Sequence, residues 1–136
     1  MSALAHVIAF RSARFDIAGE RPNPINPIGG ESVLRWLREK LSESRYETTE
    51  PDAEDWGWYI DVKADGAAYL VGASGEADDQ APGHVDWTIQ IDRHRSLKDK
   101  LTGANKLAAD DRLSAAIERL VRQDAGAGEI EVSRDA

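Results

Sequence analysis

The least expected chemistry in this chain is carried by a run of cations. From Arg93 to Lys106 stand Arg93, Arg95, Lys98, Lys100 and Lys106 against Asp99 alone, with His94 among them. The flanking sequence is acidic. Between Glu76 and Asp92 there are five acids and no Lys or Arg, and residues 43–55 hold six acids against Arg45 alone. A strand ending in Arg93, His94 and Arg95 leads into Ser96, which with Asp99 three residues on reads as a helix start. That junction gathers cationic side chains and backbone N–H donors, the chemistry that holds a phosphate, a carboxylate or an acidic patch on a partner. The plainer reading is a solvated edge whose arginines pair with the acidic segments. Arg93, His94, Arg95 and Lys98 are the candidate binding residues, and 92–98 is the place for a small-molecule or anion site, or for a small enzyme.

A second candidate is the polar face of the same strand, where His84, Asp86, Thr88, Gln90, Asp92 and His94 share one parity. Neighbours on one strand face lie about 7 Å apart. His84 with Asp86 is a partial metal set needing a third group, such as Asp61, from a neighbouring strand. His94 with Asp92 has the makings of an acid–base pair. The bland alternative is the ordinary wet side of an amphipathic strand, and no metal or cofactor is expected.

Aromatic residues are the third feature. Trp56, Trp58 and Trp87 have core-pointing parity, with Tyr59 opposite. Such rings bury ~150–250 Å² each and dominate a core, but in this density they also form interface anchors and stacking platforms. Trp58 and Trp87 read as core; Trp56, beside Asp52, Glu54 and Asp55, reads equally as rim. The fourth is a doubled Asn-Pro-Ile, Asn23–Ile25 and Asn26–Ile28, in a loop stiffened by Pro22, Pro24 and Pro27. Ile25 and Ile28 are either an exposed hydrophobic anchor on a rigid loop or a plug for the end of the core.

Other chemistries are excluded by composition. With no cysteine, the chain has no disulfide, thiolate metal site, thiol nucleophile or iron–sulfur cluster. Gly72-Ala73-Ser74-Gly75 lacks the spacing of a nucleophile elbow. Gly103-Ala104-Asn105-Lys106 is not followed by Ser or Thr and so is not a phosphate-binding Walker loop. A net charge of −8, from 25 acids and 17 bases, makes nucleic acid an unfavourable partner. No apolar run approaches the ~20 residues of a membrane span, and no signal peptide is expected, since no basic flank leads into a long apolar segment.

These residues must be positioned by an ordinary single domain, expected over 1–136. Residues 4–17 read as a strand with a bulge near Arg11–Ala13, because the apolar parity switches there. A loop at 19–30 follows. Residues 31–43 make a helix with Val33, Leu34, Leu37 and Leu41 as its core stripe, Trp36 flanking and Glu31 suiting its positive end. Arg45–Glu50 is a short strand or an acidic connector. Trp56, Trp58, Ile60 and Val62 alternate with polar residues as a strand. Asp65-Gly66 is a hairpin turn into Ala67–Ala73. Residues 74–84 read as an acidic loop, and Val85, Trp87, Ile89 and Ile91 as the strongest strand. A short helix from Ser96, a longer one over 110–123 capped by Asp110 or Asp111, and a last strand around Ile130 and Val132 complete the chain. The fold class is therefore α+β: a mainly antiparallel sheet of four to six strands with two main helices packed on one face.

Without catalytic signatures, the sequence favours a small cytoplasmic, non-enzymatic binding or regulatory domain that engages a protein partner or self-associates as a homodimer. The twelve arginines to five lysines and twenty alanines point to a bacterial, GC-rich source.

Overall fold

A computed structural model describes residues 6–64, 66–77, 80, 84–94, 97–104, 107–108 and 110–133, with Lys100 as backbone alone. Alternation dominates the result. In β4 (Gly57–Ala64), β5 (Ala67–Ala77) and β6 (Val85–Arg93), one parity is buried and the other faces away from the core. Trp58, Ile60 and Val62 meet Ala73, Val71 and Tyr69 across the β4–β5 ladder, and these meet Ile89, Ile91 and Arg93 across the next. β1 (His6–Ser12) continues the same layer, pairing Ile8 with Ile89 and Phe10 with Trp87.

The sheet is antiparallel, in the order β2 (Glu47–Thr48), β4, β5, β6, β1, β7 (Gly128–Ser133), and β3 (Asp52–Glu54) pairs with β4 beside β2. Among the described residues it has seven strands rather than four to six. The surplus comes from an edge strand broken in two, β2 and β3, around the buried Pro51. Proline lacks the N–H a ladder needs, so the strand is interrupted there. The expected strand at 45–50 shrinks to two residues. Ser74–Ala77, expected in a loop, stay in β5 because Ala77 still pairs with Val85. Within 74–84, residues 78–79 and 81–83 lie outside the described residues. The strand expected over 4–17 ends at Ser12 and keeps one buried parity to that point. Phe15 and Ile17 change face because they lie beyond it, Ile17 in a short 3-10 turn (Ile17–Gly19). The register shift in β1 lies between Ala9 and Arg11, against β7.

Two substantial helices, α1 (Glu31–Ser42) and α3 (Arg112–Asp124), cover the inward face; α2 (Leu97–Thr102) is short. Val33, Leu34, Leu37 and Leu41 from α1, and Leu113, Ile117 and Val121 from α3, join the inward strand residues in one core. Phe15 ties the layers together, its ring 5.2 Å from Trp36 and 5.9 Å from Trp87. Aromatic pairs at such distances add ~0.5–1.5 kcal/mol beyond the area they bury.

The start of α1 is held by charge. Glu20, not Glu31, caps it: the Glu20 carboxylate accepts the N–H groups of Gly30 and Ser32 at 3.0 and 2.7 Å. Glu31 instead turns inward and accepts the backbone N–H of Arg21 at 2.8 Å, with the Arg21 guanidinium and Arg35 closing on the same carboxylate. Gly30, at φ +152°, sits so close to Ala73 that a β-carbon would stand 2.2 Å from its carbonyl oxygen. The glycine pair before α1 thus docks the loop on β5. Asp111 caps α3 by accepting the Ser114 N–H at 2.9 Å, and its other oxygen accepts the Tyr69 hydroxyl at 2.7 Å.

Candidate functional site

With both main helices on one side, the other side of the sheet is left with its own side chains. Tyr59 and Asp61 from β4, Leu70, Gly72 and Ser74 from β5, and Thr88, Gln90 and Asp92 from β6 stand there. Trp56 joins them. The β3–β4 hairpin turns at Asp55–Trp56, and Gly57, at φ +148°, swings the chain so that the indole leaves the parity of Trp58 and Ile60. The ring lies over Gly72 on the free face and is 37% exposed. Trp58 and Trp87, by contrast, are 3% and 1% exposed in the core.

The hairpin that carries Trp56 is held from outside the sheet. Asn23 Nδ2 donates to the carbonyls of Glu54 and Gly57, both at 3.0 Å, and Asn26 Nδ2 donates to that of Asp55 at 2.8 Å. The Asn23 side-chain oxygen in turn accepts the N–H groups of Ile25 and Asn26 at 2.9 and 3.1 Å. Each asparagine of the doubled Asn-Pro-Ile therefore grips the turn beneath Trp56. The sequence drew attention to the isoleucines instead. Of those, Ile25 is 57% exposed, while Ile28 is half-buried and its carbonyl accepts the Trp58 Nε1–H at 3.2 Å.

Trp56, Tyr59, Leu70, Glu54, Asp61 and His94 line a shallow cleft of about 450 Å³. His94 Nε2 lies 2.9 Å from Asp61 Oδ1. Both side chains are about half exposed, so this is a wet contact. Tyr59 sits among carboxylates: partial burial, then the charges of Asp52, Asp61 and Glu54, push its hydroxyl pKa above the ordinary tyrosine value. Glu54 has no basic partner within salt-bridge reach among the described residues.

The cationic run does not form one patch among the described residues. Arg93 points to the helix side, with its guanidinium 6.0 Å from the centre of the Tyr69 ring, while His94 points to the free face. Successive strand residues face opposite ways, so a run in sequence is divided between two surfaces. Lys98 is exposed on α2, and Arg95 and Ser96 lie outside the described residues. α2 also exposes Leu97 and Leu101. On the polar strand face, His94 meets Asp61 and not Asp92, whose Oδ1 accepts the Arg93 N–H at 2.9 Å. Asp86 is taken by Arg11 at 2.9 and 3.2 Å, and His84 is exposed. Among the described residues no group of three or more His, Asp or Glu converges as a metal set.

Two polar contacts passed unnoticed in the sequence. His6 is buried under α3, its Nδ1 2.6 Å from the Ser114 hydroxyl, and the Ser12 hydroxyl donates to the Ala125 carbonyl at 2.7 Å. Both anchor α3 to β1. No helix among the described residues is long and apolar enough to cross a membrane.

No protein-family model matches the chain, and no curated protein and no solved structure matches it.

Proposed function

We propose that this chain is a small non-enzymatic binding module, acting in the cytoplasm, that engages a protein partner through the free face of its sheet around Trp56. The observation that carries this reading is the placement of that indole. It is 37% exposed, seated over a glycine, on a hairpin held by three asparagine hydrogen bonds. An aromatic ring held in a fixed pose on a surface loses little freedom on binding, and tryptophan is prominent among interface hot spots. Among the described residues the Trp56 ring makes no aromatic or cation contact.

The test is affinity capture from source-cell lysate with the wild-type chain, a Trp56→Ala variant and an Arg119→Ala control on the exposed side of α3. The reading expects a protein recovered by wild type and control but lost with Trp56→Ala. Self-association through the same face would show instead as a Trp56-dependent dimer in sedimentation. Recovery of no Trp56-dependent partner, with a monomer at high concentration, overturns the reading.

A second reading, a small-molecule site or small enzyme around residues 92–98, is favoured by the His94–Asp61 contact at 2.9 Å in the same cleft. A thermal-shift screen of metabolites, repeated on His94→Ala, separates it from the first.

A further inference from the structure

We infer that the Trp56 cleft takes a cationic side chain, an arginine or lysine presented by a basic segment of the protein partner. This rests on the binding-module reading and names the chemistry of what that surface accepts. Three observations support it. The aromatic part of the cleft is Trp56 with Tyr59, and its charged rim is Glu54 and Asp61, with Asp52 adjoining Tyr59. Among the described residues, the one basic side chain lining it is His94, which already lies against Asp61. An indole flanked by carboxylates attracts a guanidinium or ammonium through the negative face of the ring and through direct charge pairing.

The molecule applies the same chemistry to itself. Arg21 stands 5.2 Å from the centre of the Trp58 ring, and Arg14 stands 5.9 Å from that of Trp36. Trp87 is enclosed in the core. Among the described residues Trp56 carries no such cation, although it is the most exposed of the four indoles. Charge at longer range acts in the same sense, since a chain of net charge −8 draws basic segments toward it. An acidic peptide or a phosphate would meet repulsion from Glu54, Asp61 and Asp52 together.

The experiment follows the Trp56 indole N–H by two-dimensional NMR while a tetra-arginine peptide is added to the full chain. Tetra-citrulline, of similar shape but uncharged, and tetra-glutamate are the comparison peptides. Tetra-arginine is expected to give a saturable shift of the Trp56 indole and of the Leu70 and His94 amides, with much smaller shifts from the other two. A Glu54→Gln/Asp61→Asn variant is expected to bind about five- to tenfold more weakly. A Glu129→Gln/Glu131→Gln variant, which removes as much charge from β7, should bind like wild type. Spectra of both variants report whether the fold is kept, and Glu54→Gln alone serves if the double variant unfolds.

The inference is overturned if tetra-arginine moves Trp56 no more than tetra-citrulline. It is equally overturned if the β7 variant weakens binding as much as the cleft variant, which would mean attraction to bulk charge. Failure here with a Trp56-dependent partner still captured would remove the cation alone; failure of both would remove the binding module as well.

Discussion

The edge of the Trp56 indole fills the space above Gly72 where a side chain would stand: a β-carbon built there would lie 2.4 Å from Cη2 and 2.5 Å from Cζ3. Gly75, three residues along β5 and so on the other face of the sheet, has the same relationship to Trp87, at 2.3 Å from Cζ3. The two glycines differ in what the ring can do about it. Trp56 is at the surface and can swing away; Trp87 is 1% exposed and cannot. Gly72→Ala should therefore keep the fold and its stability nearly unchanged while displacing the Trp56 indole N–H resonance and impairing partner binding. Gly75→Ala should cost about 1–3 kcal/mol, the usual penalty for overfilling a packed core. Urea denaturation of the two variants checks the contrast, and equal destabilisation would contradict it.

Asn23 makes four hydrogen bonds from one side chain, two to the hairpin and two within its own loop. Asn23→Ala removes both side-chain hydrogen bonds to the hairpin carbonyls of Glu54 and Gly57 and should cost about 1–3 kcal/mol. Hydrogen exchange should quicken first around residues 54–57. The Trp56 resonance should broaden even where the rest of the spectrum is unchanged.

The Tyr69 hydroxyl gives a prediction in base. Burial first, then its hydrogen bond to Asp111 and the charge of that carboxylate, raise its pKa well above the usual value of 10.0. The folded chain thus holds the phenol proton more tightly than the unfolded chain does. That contribution is intact below about pH 10 and is lost as the pH rises above it, where the unfolded tyrosine ionises and the folded one resists. Stability measured by denaturant should fall above that pH, and Tyr69→Phe should flatten the fall. At neutral pH the same variant should lose about 1 kcal/mol with the hydrogen bond to the α3 cap.

Glu31 gives the opposite prediction in acid. Burial favours its neutral form, but the hydrogen bonds from the Arg21 backbone, the Arg21 guanidinium and Arg35 outweigh it and hold the carboxyl below 4.5. Its contribution is present above the unfolded value and is lost as the pH falls through the lower folded one. Wild type should lose stability in that window, and Glu31→Gln should lose less there, having started about 2 kcal/mol lower at neutral pH. An unchanged acid limb in the variant would contradict this.

Much of the fold was legible because it is written in alternation and helical period. The inward set Val85, Trp87, Ile89, Ile91 and the stripe Val33, Leu34, Leu37, Leu41 are buried as their spacing requires. Parity failed at Trp56 because alternation applies only within a strand, and the residue lies in the turn before Gly57. It misled again at Arg93 and His94, where closeness in sequence placed side chains on opposite surfaces. The grip of Asn23 and Asn26 on a hairpin some thirty residues away was invisible, since local patterning carries no record of which distant carbonyl a loop side chain meets. Likewise β5 runs on through Gly75 and Glu76, poor strand formers, because its neighbour β6 supplies the ladder.

The interrupted border made by β2 and β3 has an outcome for how copies of this chain meet. With only two and three residues of ladder on either side of Pro51, that rim cannot template an incoming strand from another molecule. The opposite rim, β7, carries Glu129 and Glu131, so two such rims set side by side would bring like charges together. Among the described residues, both ends of the sheet thus discourage fibre-like stacking.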